Sequence, residues 1–253
     1  MKVSSGKTAF CNRLARAGID HSVAAELGAR ASHTVPFSRG DRLEREGELT
    51  DSVYLLDTGW LANVGVLQDG SAFFREVHLP GDIVGLSNLA WELATNDLMA
   101  LTDGMARRLS RSDLHAVMAA SPKIASVLLT FGIVQQTALT DRHAHALKSD
   151  GRARLLSFLL DLHDRQAAAK RDDWVDLPIT QIHVSNAIGL SKVHVNVLLR
   201  SLEEEGAIER RPNAVRLNEV ATLRDETGYV VRWENIDVSW ILDMGHKRAS
   251  YAS

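Results

Sequence analysis

At 253 residues the chain can bury one large core or two modest ones, and a hydrophobic content of 45% with 5 prolines excludes a disordered tail or linker. The net charge of -3 excludes a generally basic nucleic-acid coater, so any contact with DNA has to come from a local basic patch on an acidic body. One cysteine, Cys11, excludes an intrachain disulfide and cannot alone ligate an iron-sulfur cluster; it reads as an incidental thiol near a helix start.

Residues 1–31 interleave Lys7, Arg13, Arg16, Asp20 and Glu26 with apolar positions. That interruption predicts neither a signal peptide nor a membrane span, and hence a cytoplasmic protein with no membrane partner. A helical lead-in is expected from Phe10 to about Ala29. Residues 35 to 110 then break into short apolar runs punctuated by Gly40-Asp41, Gly47, Gly59-Trp60, Asp69-Gly70, Gly81-Asp82 and Gly85, the pattern of antiparallel strands in a roll or barrel. Val53-Tyr54-Leu55-Leu56 is β-branched and aromatic-rich, and Asp69-Gly70 suits a tight hairpin between Val64-Leu67 and Phe73-Phe74.

The period changes at Ser121-Pro122, an N-cap with proline at the first helical position. Ile124, Val127, Leu128 and Phe131 follow at helical spacing, and Leu129, Ile133 and Val134 make the helix apolar nearly all round. It needs cover on more than one side. Its own sheet can supply one; the same helix of a second subunit can supply the other, with Ile124, Val127, Leu128, Phe131, Val134 and Gln135 as the dimer-facing residues. A helix simply sunk in a monomer core is the alternative. A further helix, about Arg152 to Ala169, carries Leu155, Leu159 and Leu162 on one stripe and runs into the polar stretch Lys170-Arg171-Asp172-Asp173.

From Leu177 the sequence reads as helix, glycine turn, helix and two short strands. Thr180 caps the first helix, whose Val184 and Ile188 point inward. Gly189-Leu190-Ser191 makes the turn, with Ser191 capping the second helix. There Val195, Leu198, Leu199 and Leu202 form the buried stripe, leaving Lys192, Val193, His194, Asn196, Val197 and Arg200 for other faces, one of which suits a major groove of double-stranded DNA. Ile208-Arg210 and Val215-Leu217 flank a proline-led turn and make a wing with Arg210, Arg211 and Arg216 near the phosphate backbone. Glu203-Glu204-Glu205 reads as the solvated far end of the helix.

Thr180-Gln181, Gly189-Leu190-Ser191, His194-Val195-Asn196 and Leu202-Glu203-Glu204-Glu205-Gly206-Ala207-Ile208 resemble the winged helix of the CRP/FNR family of bacterial regulators. Upstream, Val53-Leu56, Gly59-Trp60, Asp69-Gly70 and His78-Leu86 resemble that family's β-roll sensor domain, so the likeness covers roughly residues 35 to 227. It implies an α+β protein: a lead-in and cyclic-nucleotide-binding-like jelly roll over 1–112, a long dimerisation helix over 113–148, a winged helix-turn-helix over 149–228 and a C-terminal extension over 229–253. The implied function is sequence-specific DNA binding as a homodimeric transcription regulator, with residues 192–205 as recognition helix, RNA polymerase as a partner, and the roll as effector domain or scaffold. The DNA-contacting positions are then Thr180, Gln181, Ser191, Lys192, Val193, His194, Asn196, Val197, Arg200, Arg210, Arg211 and Arg216.

The chain departs from the family's ligand motifs. Members that bind cyclic nucleotides carry a glutamate, and an arginine followed by serine or threonine, where this chain has Leu86 and Ala94-Thr95. A cyclic phosphate buried without that arginine would keep an uncompensated charge, so neither cyclic AMP nor, lacking the cysteines, an iron-sulfur cluster is expected. His78 before Leu-Pro-Gly-Asp reads as packing rather than a haem or metal ligand, and His143 and His145, two residues apart on a helix, point apart on a solvated face. A cupin-like metal enzyme would want its ligands on strands, where residues 35 to 110 offer only His78, and no nucleophile, base and orienter pattern stands out. An unidentified small-molecule effector of the roll stays open.

Overall fold

A computed structural model describes residues 9–232, apart from 17, 20 and 167–173, together with residue 236. The polar stretch 170–173 and Trp233 and Trp240 lie outside the described residues. The lead-in is two helices, α1 (Ala9–Arg16) and α2 (His21–Arg30). Eight strands follow: β1 (His33–Phe37), β2 (Arg42–Glu44), β3 (Ser52–Thr58), β4 (Leu61–Val66), β5 (Ala72–His78), β6 (Ile83–Val84), β7 (Asp97–Ala100) and β8 (Gly104–Ser110). They form two four-stranded antiparallel sheets, in the orders β1-β8-β3-β6 and β2-β7-β4-β5, which enclose Phe37, Tyr54, Leu56, Leu61, Val84 and Leu98. Strand β3 explains its own sequence. Tyr54 and Leu56 face the interior of the roll, while Val53 and Leu55 face the helices outside it, so a strand covered on both faces reads as one apolar run.

Ser110 opens α3 (Arg111–Ala120) with a capping box: its Oγ accepts from the Asp113 N–H at 3.1 Å, and its own N–H donates to Asp113 Oδ2 at 3.0 Å. The chain breaks at Ser121, and α4 (Pro122–Lys148) starts with proline in its first turn. The expected single helix over 113–148 is therefore two. Of the six residues expected to face a second subunit, four are used inside the chain. Ile124, Val127, Leu128 and Phe131 are buried in the chain's own core with Phe10, Leu14, Val53 and Leu55, Val134 packs at its margin, and Gln135 Nε2 donates to the Ile83 carbonyl at 3.1 Å. What α4 leaves exposed is a different stripe: Leu129 (56%), Ile133 (53%), Gln136, Thr140, His143 and Leu147. Alternating steps of four and three residues keep these positions on one side of the helix, the spacing that a helix–helix seam uses.

Helix α5 (Gly151–Gln166) buries Leu155, Leu156, Leu159, Leu160 and Leu162 and carries the second unit. That unit comprises β9 (Trp174–Asp176), α6 (Gln181–Ile188), α7 (Lys192–Glu204), β10 (Ile208–Arg211), β11 (Ala214–Leu217) and α8 (Val220–Thr227), with a three-stranded sheet in the order β10-β11-β9. Its core is continuous with the outer face of the roll, where Trp60, Val64, Phe74, Val77 and Leu79 meet the leucines of α5 and Val184 and Ile188 of α6.

One buried carboxylate pins this junction. Asp82, 5% exposed, holds Arg13 Nη2 of α1 at 2.8 Å through Oδ1. Its Oδ2 accepts from Arg165 Nη2 of α5 at 2.5 Å and from the Leu79 N–H at 2.8 Å. Arg165 also donates to Asp161 and to the Val77 carbonyl, each at 3.0 Å. Burial alone would raise the Asp82 pKa, but Arg13 and Arg165 overcome it and hold the carboxyl below its ordinary value. Gly81 lets the turn reach α1: its φ is +96°, and a Cβ there would meet the Ala9 carbonyl oxygen at 2.7 Å. Nearby, His78 is 1% exposed and both its ring nitrogens lack a hydrogen-bond partner, with Glu76 Oε2 standing 4.0 Å from Nε2. Burial pushes its pKa below the ordinary 6.5.

Two outcomes follow from these groups. Asp82→Ala leaves two arginines buried without their shared anion, and urea denaturation should show a loss of about 3–5 kcal/mol; a loss near zero would mean that the network is not structural. His78 is neutral in folded and unfolded chains above pH 6.5, so its contribution is complete there. As pH falls below that value the unfolded chain takes up a proton that the folded one resists, and stability drops. Denaturation midpoints measured from pH 8 down to about 5 should fall for the parent and fall less steeply for His78→Leu.

Candidate nucleic-acid interface

The helix-turn-helix forms where its turn chemistry places it. Thr180 precedes α6 in an extended conformation, and its N–H donates to His183 Nδ1 at 3.4 Å. Gly189 takes the left-handed conformation, φ +67°, that ends α6 and that a side chain would resist. Ser191 Oγ accepts from the His194 N–H at 3.2 Å and so caps α7. Val195, Leu199 and Leu202 are buried, with Leu198 packed against the same core.

The opposite face of α7 is open. Lys192, Val193 (73% exposed), His194, Val197 (59%) and Arg200 all lie in solvent, Asn196 is half-buried, and Thr180 and Ser191 are exposed at the N-termini of the two helices, with Gln181 half-buried beside them. Cations and amide or imidazole groups alternate here with two methyl-bearing side chains. Such a surface offers donors to phosphates and base edges and apolar contacts to thymine methyls.

The wing is built as expected but its arginines are engaged. Asn213 turns β10 into β11 at φ +58°. Arg210 donates to Glu203 Oε2 through Nε at 3.0 Å and Nη2 at 2.5 Å, and Arg216 pairs with Glu209. Arg211 lies over the Trp174 ring, its Cζ 4.3 Å from the centroid, with the Arg216 Cζ at 5.3 Å. The acidic run on α7 is thus more than a solvated end. Glu203 positions a wing arginine, and Glu205 joins Glu226 in holding Arg152 of α5, both at 2.6 Å. Strand β9 and its Trp174 were not anticipated; the three-residue strand is too short to carry a periodicity, and the aromatic beside Val175 was its one signal.

In the roll, Leu86 and Ala94-Thr95, the positions set against the expected nucleotide motif, serve the chain itself. Leu86 packs on the core outside the sheet and Ala94 is buried. Asn88 Nδ2 donates to Glu44 Oε2 at 2.7 Å, Thr50 Oγ1 donates to Glu44 Oε1 at 3.0 Å, and Thr95 Oγ1 donates to Asn88 Oδ1 at 3.0 Å. Burial raises the Glu44 pKa, the bonds from Asn88 and Thr50 opposing it. His143 is exposed, and His145 Nδ1 lies 3.2 Å from Ser149 Oγ. Among the described residues no three His, Cys, Asp or Glu side chains converge as metal ligands, and no helix is long and apolar enough to cross a membrane.

Comparison with known proteins agrees with this division. The family model described as a cyclic nucleotide-binding domain matches residues 34–121, and that of a Crp-like helix-turn-helix domain matches residues 153–226, together more than half of the chain. The transcriptional activator protein FnrA of Stutzerimonas stutzeri is 24% identical over 185 residues, covering 72% of this chain and 75% of its own. The transcriptional regulator LdrP of Thermus thermophilus is 24% identical over 194 residues, covering 76% and 95%. The solved structure of FixK2 from Bradyrhizobium japonicum superposes with a TM-score of 0.71 at 20% identity, over 79% of this chain and 98% of that one. With a roll of the nucleotide-binding type followed by a Crp-like helix-turn-helix, the chain belongs to the CRP/FNR family of DNA-binding transcription regulators.

Proposed function

We propose that the chain acts as a homodimer on a two-fold DNA site, each subunit setting residues 192–205 into a major groove, with half-sites about one helical turn apart or a multiple of it. The observation that carries this reading is the two-faced α7: one side is sealed into the core, the other presents Lys192, Val193, His194, Asn196, Val197 and Arg200. Thr180, Gln181 and Ser191 stand at helix N-termini, where backbone N–H groups favour phosphates. Arg210, Arg211 and Arg216 flank the groove from the wing; their carboxylate and Trp174 partners orient them and are exchanged for phosphate on contact. The second subunit docks on the α4 stripe from Leu129 to Leu147, rather than on the residues already used by the roll.

The roll acts as scaffold or as the domain of an effector other than cyclic AMP. A phosphate entering beside Glu44 and Asn88 would meet a carboxylate, and Ala94, set against the family's arginine, offers no cation to offset it, which disfavours that ligand. Haem and iron-sulfur clusters are not part of this reading. The protein has no catalytic step, works in the cytoplasm, and addresses RNA polymerase once on DNA.

Two measurements test the proposal. Lys192→Ala should weaken binding alike across DNA sequences and flatten the logarithmic salt dependence by about one unit; unchanged affinity and slope would remove the helix from the interface. Leu129→Glu with Ile133→Glu puts like charges into the seam and should give a folded monomer by sedimentation. A persistent dimer would place the interface elsewhere.

A further inference from the structure

Outside the roll interior, a cavity of about 420 Å³ opens where β5, the second half of α4, α5, α6 and residues 228–232 meet. Its size falls in the range of small-molecule sites, roughly 300–1,000 Å³. Phe73, Leu139 and Phe158 give it apolar walls. Four arginines, Arg75, Arg142, Arg154 and Arg232, face two aspartates, Asp141 and Asp161. Both aspartates are already held: Asp141 by Arg232 at 2.6 and 3.1 Å, Asp161 by Arg165 at 3.0 Å. The lining therefore keeps an excess of positive charge.

Two buried polar atoms of lining residues are also left without hydrogen bonds. Arg142 Nη2 has Glu76 Oε1 only at 3.9 Å, too far for a hydrogen bond, and Ser157 Oγ has no partner. Buried donors are almost always satisfied, and an unpaired guanidinium N–H in a lining that also has an unpaired hydroxyl and aromatic walls asks for an acceptor carried on an apolar body. We propose that this cavity binds an organic carboxylate, its acid group on Arg142 and its apolar part between Phe73 and Phe158. The site touches the roll through β5 and the first helix of the DNA-binding motif through Asn186, Ala187 and Ile188, so an occupant holds the two units in one relation. That regulatory consequence rests on the DNA-binding reading above; the binding itself does not.

Calorimetric titration of the full chain with 2-naphthoate and octanoate, against 2-naphthol and octanol as uncharged counterparts, tests the site. One equivalent of acid should bind per chain, about tenfold more tightly than its alcohol. Arg142→Gln should remove that preference while leaving the alcohol's affinity unchanged, and Ala144→Trp, which fills the cavity from α4, should abolish binding of both in a chain that still melts cooperatively. Absence of binding by either acid, equal affinity for acid and alcohol, or an acid preference that survives Arg142→Gln overturns the proposal. The same acid at saturation should shift affinity for operator DNA at least several-fold, with the reciprocal shift in acid binding. Acid binding that leaves DNA affinity untouched overturns the regulatory role. A chain that binds acid and no DNA sinks the regulator reading and leaves the site standing.

Discussion

The carboxylate of Asp82 fixes the relation between the two units of this protein. Apolar burial between the roll and the winged helix is extensive, but it is non-directional and would tolerate many rotations of one body on the other. A buried ion pair does not. Arg13 reaches Asp82 from the N-terminal helix and Arg165 from α5, and each arginine is costly to bury without its partner. The turn Leu79-Pro80-Gly81-Asp82 is therefore a common reference for three segments far apart in sequence, and Gly81 permits it by letting α1 approach with no side chain between. Asp161 shares the charge of Arg165, so the network ends in α5 itself, the helix on which the DNA-binding unit is assembled.

Helix α4 takes its role from having two apolar faces. The inward one is consumed by the roll: Ile124, Val127, Leu128 and Phe131 complete a core begun by the lead-in helices and closed by β3. The outward one is exposed among the described residues. Between these faces, toward its C-terminal end, the same helix borders the arginine-rich cavity through Leu139, Arg142 and Ala144, and holds Arg232 through Asp141. The proposed subunit contact, the cavity and residues 228–232 all bear on this one helix. Any event that shifts α4 relative to β5 is then felt at α6, because Phe74 of β5 lies against His183 of α6 with ring centroids 5.8 Å apart.

Much of this was legible from sequence where the signal is local. The hairpin at Asp69-Gly70, the break at Ser121-Pro122, the cap at Ser191 and the turn at Gly189 are backbone requirements written in single residues, and each appears at its expected place. The inward stripes of α6 and α7 were equally readable from their spacing. Long-range choices were not. Periodicity marks apolar faces on α4 but cannot say which one the chain's own roll consumes; the structure buries Ile124, Val127, Leu128 and Phe131 and leaves Leu129 and Ile133 exposed. Pairing between Asp82 and Arg165, 83 residues apart, has no sequence signature at all. The wing arginines were visible, but their partners Glu203, Glu209 and Trp174 come from other positions in the fold, and Glu203 looked like mere solvation.

The recognition helix carries the sharpest consequence for function. Val193 and Val197 are separated by one turn, are largely exposed, and stand among Lys192, His194, Asn196 and Arg200. Exposed β-branched residues do nothing for the stability of a helix, and here the buried stripe is complete without them. Their methyl groups cannot donate to guanine or accept from cytosine, and in a groove they find favourable contact only with thymine methyls or other apolar edges. An operator for this chain should be richer in thymine under residues 193 and 197 than one read by acidic and arginine side chains at those positions. In the proposed complex, polar readout then rests on Asn196, His194 and Arg200. Asn196 is the one of the three that is half-buried, so in the proposed complex its side chain has the least freedom to lose on contact.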